Sequence, residues 1–359
     1  MPRTIPIFHN LPQYNIPSND KKLTKLVATL FAYKDIIKPQ HRYTWGQEIE
    51  TYTISRELMN ISTQYLNGHR DLSGPWEIVL YPTKYNDVLP PFIITTMQRL
   101  GYIDIKPDEQ MGNHIHYRPA SVSRKTILLW WRTYLNLYTT TILMIRMMSS
   151  HGTYLRETWK RWAELSDEWP MRYYLNKYPY PNEDELYRDL RDITGRDYFH
   201  ITLNRHNKNI LTIEMRISET HPLKAWAYVY LVTKIIKTFD KPVFLIEDRT
   251  KFVDYYHELA EGYVTDEETI KWGIIGLKPQ YTWLEKIKSP KELTIKLYNT
   301  LLNPAKPRDY LAMIIFHYIY KKGENIVDRA SIEQFYSWLK QTKKEDIVER
   351  NLITILQNT

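Results

Sequence analysis

The chain has 359 residues, 43% of them hydrophobic and 25% charged, which excludes disorder and fibrous folds and leaves one large domain or two ordinary ones. Cysteine is absent, so disulfide scaffolds, thiol catalysis, Fe–S clusters and Cys-ligated zinc are excluded. A net charge of +8 favours anionic partners without choosing among them.

Met1 to Asp20 is polar and Pro-rich, with no apolar core of a signal peptide. Lys21 to Ile37 is the first predicted helix, with Leu23, Leu26, Leu30 and Phe31 at helical spacing. Trp45 to Ser55 alternates and predicts a strand. Trp76 to Tyr81 predicts a second, stopped by Pro82. Asp87 to Leu100 reads as a helix with a proline pair near its start and Gly101 after its end. His114 to Tyr117 is the core of a third strand.

A helical block is expected from Ser121 to about Tyr174, broken near Gly152. Its most apolar part, Ile127 to Met148, contains Arg132, Asn136 and Arg146, which argues against a membrane span. The expected location is therefore the cytoplasm. Asn176 to Glu185 reads as a surface loop. Tyr198 to Asn204 and Ile210 to Ile217 predict two strands of a hairpin turning at Arg205 to Asn209. Pro222 then opens a helix over Leu223 to Phe239, and from Val243 onward nearly everything reads as helix, with loops at Leu277–Tyr281 and Asn303–Arg308. Strands early and helices late predict an α+β fold: an antiparallel sheet with one open face, helices on the other, and a mainly helical C-terminal third. The expected division is a catalytic domain over 1–245, with a helical insertion at about 121–190, and a helical region over 246–359.

Three pairs carry the chemistry: Glu48-x-Glu50, His114-x-His116 and Glu214-x-Arg216. Each lies in a predicted strand, where residues i and i+2 share a face ~6.6–6.8 Å apart. The residues between them, Ile49, Ile115 and Met215, are apolar. Glu77 adds a carboxylate between Trp76 and Ile78. If the strands are neighbours, carboxylates and imidazoles converge on one face, and crowded carboxylates require a cation. Oxygen-rich ligation suits Mg²⁺ or Mn²⁺, and the spacing favours two or more ions. Arg205, Lys208 and Arg216 add positive charge beside them, the apparatus of phosphoryl transfer. No Gly-rich phosphate-loop or dinucleotide fingerprint is present. Any one such pair alone is more often an ordinary solvated strand face.

The surrounding words resemble a family. Trp45-Gly46-Gln47-Glu48-Ile49-Glu50 resembles the F-G-x-E-x-E opening of the glutamine synthetase and glutamate–cysteine ligase superfamily. Asp71-Leu72-Ser73 with Trp76-Glu77-Ile78-Val79 is similar to the D-x-S…E-I-V segment of its amidoligase branch. Gly112-Asn113-His114-Ile115-His116 resembles its G-x-H-x-H strand. Asn204-Arg205 with Glu214-Met215-Arg216 resembles its closing N-R…E-x-R element. The order matches over about Trp45 to Phe239.

That resemblance implies an ATP-dependent carboxylate–amine ligase whose sheet forms one wall of the nucleotide site. By position it implies Glu48, Glu50, Glu77, His114 and Glu214 as metal ligands, and His116 as a nucleotide or substrate contact. It also implies Arg205 and Arg216 as phosphate contacts and Asp71 near the substrate amine. Arg146 or Arg156 is a further phosphate-contact candidate that no spacing selects. The carboxylate and amine substrates, small molecules or peptides, are not named by the sequence. Two alternatives stand beside this. A nucleic-acid-binding or structural protein with the same fold ranks lower, because the 29 tyrosines are spread out rather than interleaved with a basic cluster. A phosphoesterase using His200 and His114 ranks lower still, because His200-x-Thr202 lacks a matching second half.

Overall fold

The computed structural model describes residue 14 and residues 16–36, 44–70, 74–84, 87–105, 113–118, 221–238, 286, 290–322 and 329–341, and the backbone of 201–207 and 210–216. The expected helical block over 121–174, the loop over 176–185 and the loop at 277–281 lie outside these residues.

Helix α1 spans Lys21–Ile36. Its start is set by Asp20, whose carboxylate accepts from the backbone N–H of Lys22 at 2.9 Å and Leu23 at 3.1 Å. Leu23, Leu26, Val27 and Leu30 form its buried stripe. Strand β1 spans Thr44–Thr51 and β2 spans Thr53–Ile54, so the single strand expected over 45–55 divides in two. The division places β2 in a separate two-stranded sheet with β6, Ile103–Asp104. Helix α2, Arg56–Tyr65, was not expected from the pattern, because it buries only Leu58, Ile61 and Ser62. The readable signal is Ser55, whose hydroxyl accepts from the N–H of Leu58.

Strands β3 (His69–Arg70), β4 (Trp76–Val79) and β5 (Thr83–Lys84) follow. Helix α3, Leu89–Arg99, is buried over its first ten residues, so it is a core helix. Just before it, Asp87 accepts from Leu89 N–H at 3.2 Å and from the Tyr33 hydroxyl at 2.9 Å. Gly101, at φ +82, ends it in a conformation that favours glycine. Strand β7 spans Asn113–Arg118, and the expected hairpin is present as β8, Ile201–Asn207, and β9, Ile210–Arg216. Helix α4 spans Pro222–Thr238. Helices α5 (Pro290–Leu301), α6 (Pro307–Lys322) and α7 (Arg329–Gln341) complete the described chain.

Seven strands form one antiparallel sheet in the order β3-β4-β1-β7-β9-β8, with β5 on the end of β1. Mixed α and β structure with an antiparallel sheet is thus as expected. The apolar face carries Ile49, Ile78 and Ile115, each 0% exposed, and such burial contributes about 1.5–3 kcal/mol per side chain. Helix α4 meets this face, where the Thr233 hydroxyl donates to Tyr117 Oη at 3.1 Å.

The C-terminal helices fasten to α3 and α4. Arg99 Nε lies 2.8 Å from Glu333 and its guanidinium stands 4.6 Å from the Tyr336 ring centroid. Buried Asp309 takes Lys234 Nζ at 3.0 Å, the N–H of Asn303 at 2.8 Å and the Tyr230 hydroxyl. Among the described residues no helix is long and apolar enough to cross a membrane.

Candidate functional site

Register decides which polar residues meet. Glu50 stands opposite Glu77, and Glu77 opposite His69. One pair of residues along, Glu48 stands opposite His114, and His114 opposite Arg216. One further step brings Gly46 opposite His116, His116 opposite Glu214, and Glu214 opposite Thr202. These rows lie on one face, ~4.8 Å apart across strands and ~6.7 Å apart along them. The alternate rows hold Ile49 with Ile78, and Ile115 with Met215.

Glu48 is the electrostatic centre of the face. His116 Nε2 lies 2.9 Å from its Oε1, and His114 Nδ1 lies 3.3 Å from its Oε2. Burial pushes the Glu48 carboxyl up, but hydrogen bonding and charge from the two imidazoles outweigh it and hold the group well below the usual carboxylate range. Glu77 is the reverse case. Burial, then the charge of Glu48, raises it from 4.5 to about 7, against the opposing pull of His69 and His114, with Glu50 adding to the rise. His69 Nε2 is 3.8 Å from Glu77 Oε2 and exposed.

The polar face was expected to be open. It is largely covered instead: Glu50 is 8% exposed, Glu77 9% and His116 8%, with Glu48 and His114 between them half-buried. An ordinary solvated strand face leaves such groups in water, because burying a carboxylate is costly unless it is paired.

Of the expected site residues, Glu48, Glu50, Glu77, His114 and His116 come together, and Glu214 and Arg216 hold register positions in the same rows. Arg205 does not. It pairs with Leu211, in the rows of the opposite face, next to an irregularity between Arg205 and Asn207. Its expected place, adding positive charge beside the metals, is not the one this register gives it. Asp71, Lys208, Arg146, Arg156 and His200 lie outside the described residues. Among the described residues no group of three or more His, Asp or Glu is placed to hold one ion.

Two residues were missed. His69 gave no signal, because a two-residue strand has no periodicity. Arg118 continues the alternation His114-x-His116-x-Arg118 and was legible from it. Compared with protein-family models and with curated proteins, the chain matches none.

Proposed function

We propose that the polar sheet face is the site of an ATP- and Mg²⁺- or Mn²⁺-dependent carboxylate–amine ligase. The observation that carries this is the burial of Glu50 and Glu77 directly opposite one another, beside Glu48. Three acidic groups in so small an area repel, and the rise of the Glu77 carboxyl to about 7 reflects that repulsion together with burial. An all-oxygen pair of this kind fits a hard divalent cation. Glu50 and Glu77 are the residues that would hold it, and Glu48, His114 and Glu214 are further ligands on the same reading. When bound, such an ion supplies charge neutralisation for polyphosphate. The resemblance of the strand motifs to the amidoligase branch of the glutamine synthetase superfamily supports the same reading.

In the proposed reaction a substrate carboxylate oxygen attacks the γ-phosphorus of ATP and ADP leaves. An amine nitrogen then attacks the acyl carbon of the acyl phosphate, losing a proton as phosphate departs. The phosphoryl step turns a poor leaving group into a good one. Arg216 is assigned to the transferring phosphoryl group, because its planar fork offers paired donors to phosphate oxygens and keeps its charge. Imidazole contacts to both oxygens fix the orientation of the Glu48 carboxylate.

The experiment is thermal unfolding with and without ATP and Mn²⁺, since a ligand of the folded state stabilises it by RT ln(1 + [L]/Kd). A raised Tm, together with ADP and hydroxamate formation from a carboxylate and hydroxylamine, is the expected result. No ATP response combined with tight, salt-sensitive binding of single strands would replace the ligase with a nucleic-acid-binding module. Release of AMP and pyrophosphate would remove the phosphoryl route.

A further inference from the structure

The polar face does not end at His116. Arg118 stands two residues further along β7, directly opposite Thr44 of β1. On its other side β7 pairs with β9 at Tyr117 and Ile213, so the next position along that register is Thr212, itself opposite Asn204 of β8. The row that contains Arg118 therefore holds Thr44, Thr212 and Asn204, and Lys84 of β5, which stands opposite Thr44 on its other side. These are hydroxyl, amide, ammonium and guanidinium residues, with no carboxylate. That is the inverse of the row three steps away, where Glu50 and Glu77 face one another. The two rows are separated by about 20 Å along the strands, from three two-residue steps.

Arg118 is half-buried, and Thr44 beside it is 4% exposed. Among the described residues Arg118 makes no ion pair, hydrogen bond or ring contact. By contrast, the described cations Lys234 and Arg99 each meet a carboxylate, Asp309 and Glu333. A partly desolvated guanidinium without a counter-charge is unfavourable by itself, and its rigid fork is suited to a planar or tetrahedral oxyanion. Gly46 adds to the setting, because it puts no side chain on the face opposite His116, between the rows of Glu48 and Thr44.

We infer that Arg118 is the anion-recognition residue of a second subsite at the Thr44 end of the face, binding an oxyanion of a substrate at a distance from the acidic rows. The inference rests on reading this face as a substrate surface and adds a specificity element to it. The shared ligand chemistry is an oxyanion, supplied by the phosphates of a nucleotide or by a carboxylate of the second substrate.

The test titrates the full chain, with Mn²⁺ present, against two probes, ADP and succinate. Wild type should bind at least one. Arg118→Gln should weaken that probe about ten- to hundredfold, the size expected for a hydrogen bond to a charged group. Loss confined to ADP assigns the nucleotide as the source, and loss confined to succinate assigns the substrate carboxylate. If Arg118→Gln does not fold, Arg118→Lys carries the same test, because it keeps the charge and loses the fork; a fall of about threefold or more is expected. Wild type binding neither probe, or unchanged affinities in the folded variant, would overturn the inference. The ligase reading is scored separately. An ATP and Mn²⁺ response with affinities unaffected at Arg118 removes only the subsite. Succinate binding lost in Arg118→Gln, with no ATP response, removes only the ligase.

Discussion

Replacing Glu77 by Gln should stabilise the metal-free protein increasingly as pH rises through the Glu77 titration, and do nothing below it. Glu77 lies opposite Glu50, with Glu48 on the same face, and its carboxyl is raised from 4.5 to about 7 by burial and by those charges. A carboxyl raised on folding contributes stability that is fully present below its unfolded pKa and is lost as pH rises through the folded one. The window is therefore pH 4.5 to about 7. At pH 8 the loss is on the order of 3 kcal/mol, from ~1.36 kcal/mol per pH unit over that window. For 359 residues, an unfolding entropy of ~2.1 cal/mol/K per residue converts this to about 4 °C. The assay is thermal and urea unfolding of both proteins in EDTA at pH 5, 6, 7 and 8. The curves should lie closest at pH 5 and separate progressively up to pH 8, with Glu77→Gln the more stable. Saturating Mn²⁺ at pH 8 should close the gap by stabilising wild type more. Parallel pH profiles would refute the reasoning, because they would mean that Glu77 carries its charge without penalty in the folded state.

Two further outcomes are expected. Arg216→Lys keeps the charge and loses the fork, so ADP-forming turnover should fall by ~10²–10³-fold while ATP affinity falls far less; activity per folded molecule equal to wild type would make the residue structural. His221 is buried, with Nε2 donating to Gln98 Oε1 at 2.9 Å and Nδ1 accepting from Leu223 N–H at 3.3 Å. Burial and the nearby Lys224 push it from 6.5 down to about 3. Its contribution is present above pH 6.5 and is lost as pH falls through that window, by ~2 kcal/mol at pH 5. His221→Gln should remove that part of the acid slope in urea unfolding, and an unchanged slope would place the acid sensitivity elsewhere.

Alternation along a strand is local chemistry, so the sequence alone determines which residues within one strand share a face. Glu48 with Glu50, His114 with His116 and Glu214 with Arg216 were legible for that reason, as were Lys21–Ile36 and Pro222–Thr238 from their helical spacing. Pairing between strands far apart in the chain is not local. Only the tertiary structure sets β1 between β4 and β7, and so brings Glu50 against Glu77 and Glu48 against His114. It also decides burial: the same E-x-E pattern fits a wet face, and only packing makes Glu50 and Glu77 costly. Arg205 shows the limit most plainly. Its sequence neighbourhood matched a motif, yet pairing with Leu211 across the hairpin assigns it to the opposite rows. A one-residue change of register exchanges the two faces of a strand, and that register is fixed by the partner strand rather than by the strand's own residues.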